Sequence, residues 1–255
     1  MPETVLCAIA GQPNAGKSTI FNMLTGARQH VANYPGVTVE KKTGFFSGNG
    51  YAVELVDLPG TYSMTSYSLE ERVARDFILT DGPAAVIDVA DASNLPRHLS
   101  LTFQLLEMGT PVVVALNMVD VAAARGRRVD HRTLAERLGA PVVPTVGRRG
   151  QGREELRDVL LEVARTGAPR SPLHLDYGAL EPAIEQLERE ISGLGGLDAP
   201  ARWLAVKLLE GDTEIRKAVQ DTATGAASVL AQAETLRAAF EDAEGTPPAE
   251  HIEQR

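Results

Sequence analysis

Apolar residues cluster along the first two thirds of the chain in short segments at positions 5–10, 37–46, 51–56, 84–89, 112–116 and 142–143, which read as strands. Segments 18–25, 68–79, 95–107, 132–138 and 152–166 alternate with them and carry helical patterns, the third opened by the capping residues Asp91, Ser93 and Asn94. Such alternation builds a mostly parallel sheet with helices on both faces. A Ser-Gly-Asn-Gly turn at 47–50 makes a hairpin, so one of the six expected strands runs antiparallel. Around Ala168, Pro169 and Pro172 the pattern changes. Beyond it lie only helix-period segments, at 180–192, 200–210, 213–222 and 226–243, with Leu204, Leu208 and Leu209, then Val229, Leu236 and Phe240, forming core stripes. The expected organisation is an α/β domain over 1–168, a small helical bundle over 172–245 and a polar tail over 246–255.

The first strand runs directly into Gly11-Gln12-Pro13-Asn14-Ala15-Gly16-Lys17-Ser18, and Thr19 continues into a helix. Strand, glycine loop and helix in that order mark a phosphate-binding loop. Gly11 and Gly16 admit backbone that a Cβ would block, and the N–H groups through Ala15 to Thr19 face a β-phosphate. Lys17 reaches the β and γ oxygens, and the Ser18 hydroxyl is placed to ligate Mg²⁺. Asn14, following Pro13, suits a turn with unusual backbone angles.

Three further segments bear on which nucleotide. Asp57-Leu58-Pro59-Gly60 ends the third strand, where Asp57 can hold a Mg²⁺-bound water and the Gly60 N–H can meet a γ-phosphate. Asn117-Met118-Val119-Asp120 ends the fifth. The Asp120 carboxylate matches the guanine N1–H and N2 amine, donors that adenine lacks there, and so favours GTP over ATP. Asn117 ties this loop to the phosphate loop, and Met118, where a lysine is usual, covers the base with a thioether. After the sixth strand, Thr145 and Val146 offer main-chain groups behind the base. The stretch from Gln29 to Thr38 shows no strand or helix period, as expected of a mobile switch loop, and Thr38 can offer Mg²⁺ its hydroxyl and the γ-phosphate its N–H.

These motifs, with Asn33-Tyr34-Pro35-Gly36-Val37-Thr38-Val39-Glu40 and Asp57-Leu58-Pro59-Gly60-Thr61-Tyr62-Ser63, resemble the cytosolic G domain of the bacterial ferrous iron transport protein B (FeoB) family. The resemblance is densest over 5–150 and implies a Ras-like P-loop G domain with an appended helical domain. It implies GTP/GDP as ligand, Mg²⁺ as cofactor, and GTP hydrolysis assigned to Lys17, Thr38, Gly60 and Asn14. Thr61 and Tyr62 follow Gly60 and supply no carboxamide to orient water, so a slow intrinsic rate is expected. Related G proteins with Asn at the position of Asn14 hold K⁺ there, which offers a remedy. The helical domain is credited with slowing GDP release and coupling nucleotide state to the membrane part. Partners implied are the transmembrane permease of the same protein, following after Arg255, and small cytosolic accessory proteins; an oligomer is also compatible. The fragment itself would be soluble, on the cytoplasmic side of the bacterial inner membrane.

Composition narrows the alternatives. A net charge of −9 over 255 residues argues against nucleic acid or an anionic membrane as the main partner. The basic clusters Arg125-Gly126-Arg127-Arg128 and Arg148-Arg149 read as solvated loops. One cysteine, Cys7, excludes an internal disulfide and fits a reducing cytosol, and the five histidines lack metal-ligand spacing. No apolar stretch reaches the roughly 18 residues that span a bilayer, and acidic Glu3 leads directly into the first strand without a signal-peptide pattern. Two alternatives share the nucleotide motifs: a ribosome-associated G protein, disfavoured by the acidic segment 170–255, and a nucleotide-dependent switch without significant hydrolysis.

Overall fold

The computed structural model describes residues 4–26, 29–48, 50–64, 68–167, 173–197, 199–222 and 225–253. They form two compact units, 1–173 and 174–255. The expected boundary at 168–172 and Asn49 of the expected turn lie outside the described residues.

The first unit is built on a seven-stranded sheet: β1 (Thr4–Gly11), β2 (Gln29–Asn33), β3 (Glu40–Gly48), β4 (Tyr51–Asp57), β5 (Ala85–Asp91), β6 (Val112–Asn117) and β7 (Val142–Pro144), in the order β2-β3-β4-β1-β5-β6-β7. β3 runs antiparallel to both its neighbours, and the remaining pairs are parallel. The helices of this unit are α1 (Lys17–Thr25), α2 (Leu69–Asp76), α3 (Leu95–Glu107), α4 (Val119–Ala124), α5 (His131–Leu138) and α6 (Arg153–Thr166). β5 and β6 are buried almost throughout, as strands covered on both faces must be.

The mixed sheet with one antiparallel strand is as expected, but it has seven strands rather than six. Residues 29–33, taken as part of an aperiodic switch loop, form β2 at the sheet edge, where four of the five side chains are exposed. An edge strand with no buried face leaves no hydrophobic period to read. β3 also starts at Glu40, so Thr38 belongs to the β2–β3 turn and not to a strand.

Parallel register aligns the carboxyl ends. Ile9 pairs with Asp57, Gly11 with Val89 and Asp91 with Asn117, which brings the phosphate loop, the Asp57 turn and the Asn117 loop to one edge of the sheet. Ligands of open α/β sheets bind at that edge. Gly11, at φ 157°, approaches β5 so closely that a Cβ would sit 3.0 Å from the Val89 carbonyl oxygen.

The second unit contains α7 (Glu181–Ser192), α8 (Ala201–Glu210), α9 (Thr213–Thr222), α10 (Ala226–Glu244) and α11 (Pro248–Glu253). α8 is buried from Trp203 to Leu209 and is the central helix. Ile184, Leu187 and Ile191 of α7 and Val229, Leu230, Ala233 and Phe240 of α10 supply the stripes around it. Arg202 joins α8 to α7 through the Glu181 carboxylate at 2.8 Å. The expected polar tail at 246–255 instead contributes α11, whose His251 contacts the Tyr177 carbonyl at 2.8 Å and the Phe240 ring edge-on. Among the described residues no helix is long and apolar enough to cross a membrane.

One core residue conflicts with its surroundings. Asp88, in the middle of β5, is 1% exposed and accepts a hydrogen bond from the Thr102 hydroxyl at 2.5 Å. Burial raises its carboxyl to about 7, with the Thr102 bond opposing. The folded state therefore holds this proton more tightly than the unfolded chain. Stability falls as pH rises from about 4 to about 7 and then levels off. Asp88→Asn removes the ionisation while keeping an acceptor for Thr102. It should flatten that pH dependence and raise the thermal midpoint at pH 8 by several degrees, as measured by calorimetry of both proteins across this range.

Candidate nucleotide-binding site

The loop between β1 and α1 is an anion cradle by construction. Gly16, at φ 89°, caps α1, and neither a side-chain cap nor an acidic residue in the first turn satisfies the helix N-terminus. Its free N–H groups and dipole point outward. Asn14 adopts φ 69°, left-handed backbone that Asn tolerates better than most residues, in accord with its expected role as a turn residue. The Ala15 N–H closes the loop on the Gln12 carbonyl at 3.1 Å.

Lys17 and Asp57 form a direct ion pair across the site, with only 14% and 10% of their side chains exposed. Burial pushes the Asp57 carboxyl above its ordinary value, and Lys17 pulls it down without cancelling the rise. Both groups therefore already stand where phosphate and a divalent cation are expected. Ser18 is on the first turn of α1. Among the described residues no cluster of three or more His, Cys, Asp or Glu can cage a metal. A Mg²⁺ held by one hydroxyl, a carboxylate through water and substrate phosphates fits this sparse donor set.

Asn117 joins the cradle to the base side. Its Nδ2 donates to the Ala15 carbonyl at 3.0 Å, while its Oδ1 accepts from the Gly147 N–H at 3.1 Å and faces the Thr145 hydroxyl at 3.4 Å. A Cβ on Gly16 would collide with Asn117 Nδ2. Asn14, Gly16, Thr19, Met118 and Asp120 line the adjoining cleft of about 370 Å³. Met118 caps α4 at φ 61° and lies beside Gly16. Asp120 keeps one oxygen on the Val121 N–H at 3.0 Å and turns the other toward Arg149, 3.8 Å away.

Some expected residues take other roles. The Thr145 N–H is committed to the Leu116 carbonyl at 2.8 Å and the Val146 N–H to Gln151 at 3.2 Å, so neither is presented to a base. Val146 lines the cleft, whereas Thr145 supports Asn117. Thr38 is exposed in the turn beyond β2. That turn is anchored by Tyr34, which is buried, packs edge-on to Phe77 at 6.3 Å, and points its hydroxyl at the Asp57 carbonyl 3.5 Å away. The Lys41 ammonium lies over both rings. Gly60 abuts Pro13 and Gly11 of the phosphate loop. Of the two arginines read as a solvated loop, both are exposed, yet Arg148 lines the cleft and Arg149 faces Asp120. Their position after β7, beside Thr145 and Val146, was the available signal.

Residues 5–160 match the family model described as ferrous iron transport protein B. The chain belongs to that family. Residues 177–255 match the FeoB cytosolic helical domain, which removes the ground for a ribosome-associated reading. The chain is 46% identical over 229 residues to the Fe(2+) transport protein A/Fe(2+) transporter FeoB fusion protein of Porphyromonas gingivalis, covering 88% of this chain and 27% of that protein. It is 44% identical over 211 residues to the Fe(2+) transporter FeoB of Escherichia coli strain K12, covering 80% and 26%. The chain thus spans about a quarter of the length of these FeoB relatives. Among solved structures, an S. thermophilus NFeoB mutant bound to mGDP superposes with a TM-score of 0.86 at 35% identity, over 99% of this chain and 95% of that one. The cytosolic domain of T. maritima FeoB in its GMPPNP form gives 0.80 at 38%, over 93% and 98%.

Gly16→Ala combines a left-handed backbone with the collision against Asn117. It should lower guanine-nucleotide affinity by at least about tenfold without loss of helical signal, read by fluorescent-nucleotide titration and circular dichroism.

Proposed function

We propose that this chain binds GTP with Mg²⁺, hydrolyses it slowly, and serves as the nucleotide-dependent cytosolic switch of a ferrous-iron uptake system at the bacterial inner membrane. The observation that carries this reading is the uncapped α1 N-terminus, with Lys17 and Asp57 facing each other across it and Asn117 binding it to the base cleft. Relatives solved with GDP and GMPPNP support it.

On binding, Lys17 exchanges the Asp57 carboxylate for β- and γ-phosphate oxygens, and Asp57 turns to the water shell of the cation. Ser18 would offer its hydroxyl to Mg²⁺, joined by that of Thr38 once its turn closes, and the ion would neutralise charge on the phosphates. Asp120 accepts from the guanine N1–H and N2 amine, and Met118 covers the base. The Gly60 N–H and the Tyr34–Val39 turn close on the γ-phosphate, and both are released when it leaves. No carboxamide follows Gly60, so the chain's own groups orient water poorly and the rate is slow. Asn14, which lines the cleft, would be the residue to hold K⁺, and that ion would supply the positive charge that an arginine finger otherwise brings to the phosphates. The permease portion of the full-length protein receives the signal. A small accessory protein is a further partner, in keeping with the fused P. gingivalis relative.

The test is steady-state GTP turnover in KCl against NaCl at equal ionic strength. Stimulation by K⁺ of at least about tenfold, lost in Asn14→Ala while GDP affinity is retained, is expected. Equal slow rates in both salts would remove the K⁺ role, and no turnover in either would reduce the chain to a binding switch.

Thr38→Ala should keep GDP affinity and lose turnover. Lys17→Ala should lose tight binding of any guanine nucleotide; calorimetric titration checks both binding outcomes.

A further inference from the structure

The phosphate loop carries a buried polar residue that the nucleotide chemistry leaves unused. Gln12 is 3% exposed, and its Nε2 donates to the Arg97 carbonyl at 2.7 Å, at the start of α3. Its Oε1 is buried and finds no partner among the described residues. The Thr61 hydroxyl, on a side chain also 3% exposed, is orphaned in the same way. Their segments touch: a Cβ built on Gly60 would lie 3.8 Å from the Pro13 nitrogen and 3.9 Å from the Gly11 carbonyl oxygen. Arg97 adds a third link, its guanidinium 4.9 Å from the centre of the exposed Tyr62 ring.

We propose that Gln12 is a positioning residue for the closed state: its Oε1 accepts the Thr61 hydroxyl when the Gly60 turn closes, fixing that turn to the phosphate loop. This rests on the GTP-dependent closure proposed above. A buried donor and a buried acceptor each carry a desolvation cost while unpaired. A hydrogen bond between them satisfies both, so a turn that lacks it is penalised and one that makes it is not. A ligand that draws in the Gly60 N–H gains that difference. Gln12 thereby stabilises closure without touching the phosphates.

The experiment compares Thr61→Val, which keeps the shape and loses the donor, with Thr61→Ser, which keeps the donor. Two quantities are read on the full chain: kcat for GTP, and the ratio of GMPPNP to GDP affinity. Thr61→Val should lower both by about tenfold, while Thr61→Ser stays within about twofold and GDP affinity is unchanged. In a Gln12→Leu background, Thr61→Val should cause no further loss. Should Gln12→Leu fold poorly by thermal midpoint, Gln12→Met replaces it; that variant keeps the length, lacks the acceptor oxygen, and should likewise show no further loss on Thr61→Val. Wild-type values in Thr61→Val overturn the proposal. So does an equal loss in both backgrounds, the result of a Thr61 that orients water by itself. Absence of GTP turnover in the unaltered chain would count against the proposed hydrolysis alone, because the affinity ratio still decides the Gln12 contact.

Discussion

A buried carboxamide has two donors and an acceptor oxygen to satisfy, and Asn117 spends them on separate segments. It holds the Ala15 carbonyl of the phosphate loop, the Gly147 N–H after β7 and the Thr145 hydroxyl. Its own place at the end of β6 is fixed by parallel pairing with Asp91 of β5. The sheet therefore positions one side chain, and that side chain positions both halves of the cleft. Phosphate loop and base loop cannot shift independently, because Gly16 and Asn117 leave no room between them. Removing the carboxamide would orphan groups on both sides in a region that excludes water.

Electrostatics complement that rigidity. Lys17 and Asp57 are largely buried and compensate each other. In the proposed binding mode, nucleotide and cation would arrive as a combination of negative and positive charge, so each protein group would change partner and neither charge would be left uncompensated. Such an exchange costs less than exposing a buried lysine or carboxylate alone. It also makes occupation by a bare anion or a bare cation unfavourable, since either would strand one member of the pair.

Glycine and lysine spacing in the phosphate loop was legible in the sequence because few other structures need Gly11, Gly16 and Lys17 in that order after a strand. Asn117 and Asp120 stood out only through their place at a later strand end, in order after that loop, since a strand-end turn of this composition is ordinary by itself. The bundle stripes were plain, although Leu236 turned out only half-buried. What depended on distant contacts was not visible. α11 is held by His251 against Tyr177, which lies 74 positions earlier in the chain. The commitment of the Thr145 and Val146 N–H groups follows from register and loop closure, which composition does not encode. Gln12 looked like one more loop residue until its burial and its bond to Arg97 were seen.

The location of β2 has a kinetic consequence. An interior strand must break two ladders to move, whereas β2 has only its pairing with β3 to lose, over five residues that bury little apolar surface. Peeling from the edge is therefore among the cheapest openings available to this sheet. The adjoining turn carries both Tyr34 and Thr38, so a register break in β2 would lengthen the tether of the switch without disturbing the core. The amide hydrogens from His30 to Asn33 would exchange with solvent well before those of β1 or β5. The ease of that peeling, together with release of the buried Tyr34, sets how far Thr38 can travel.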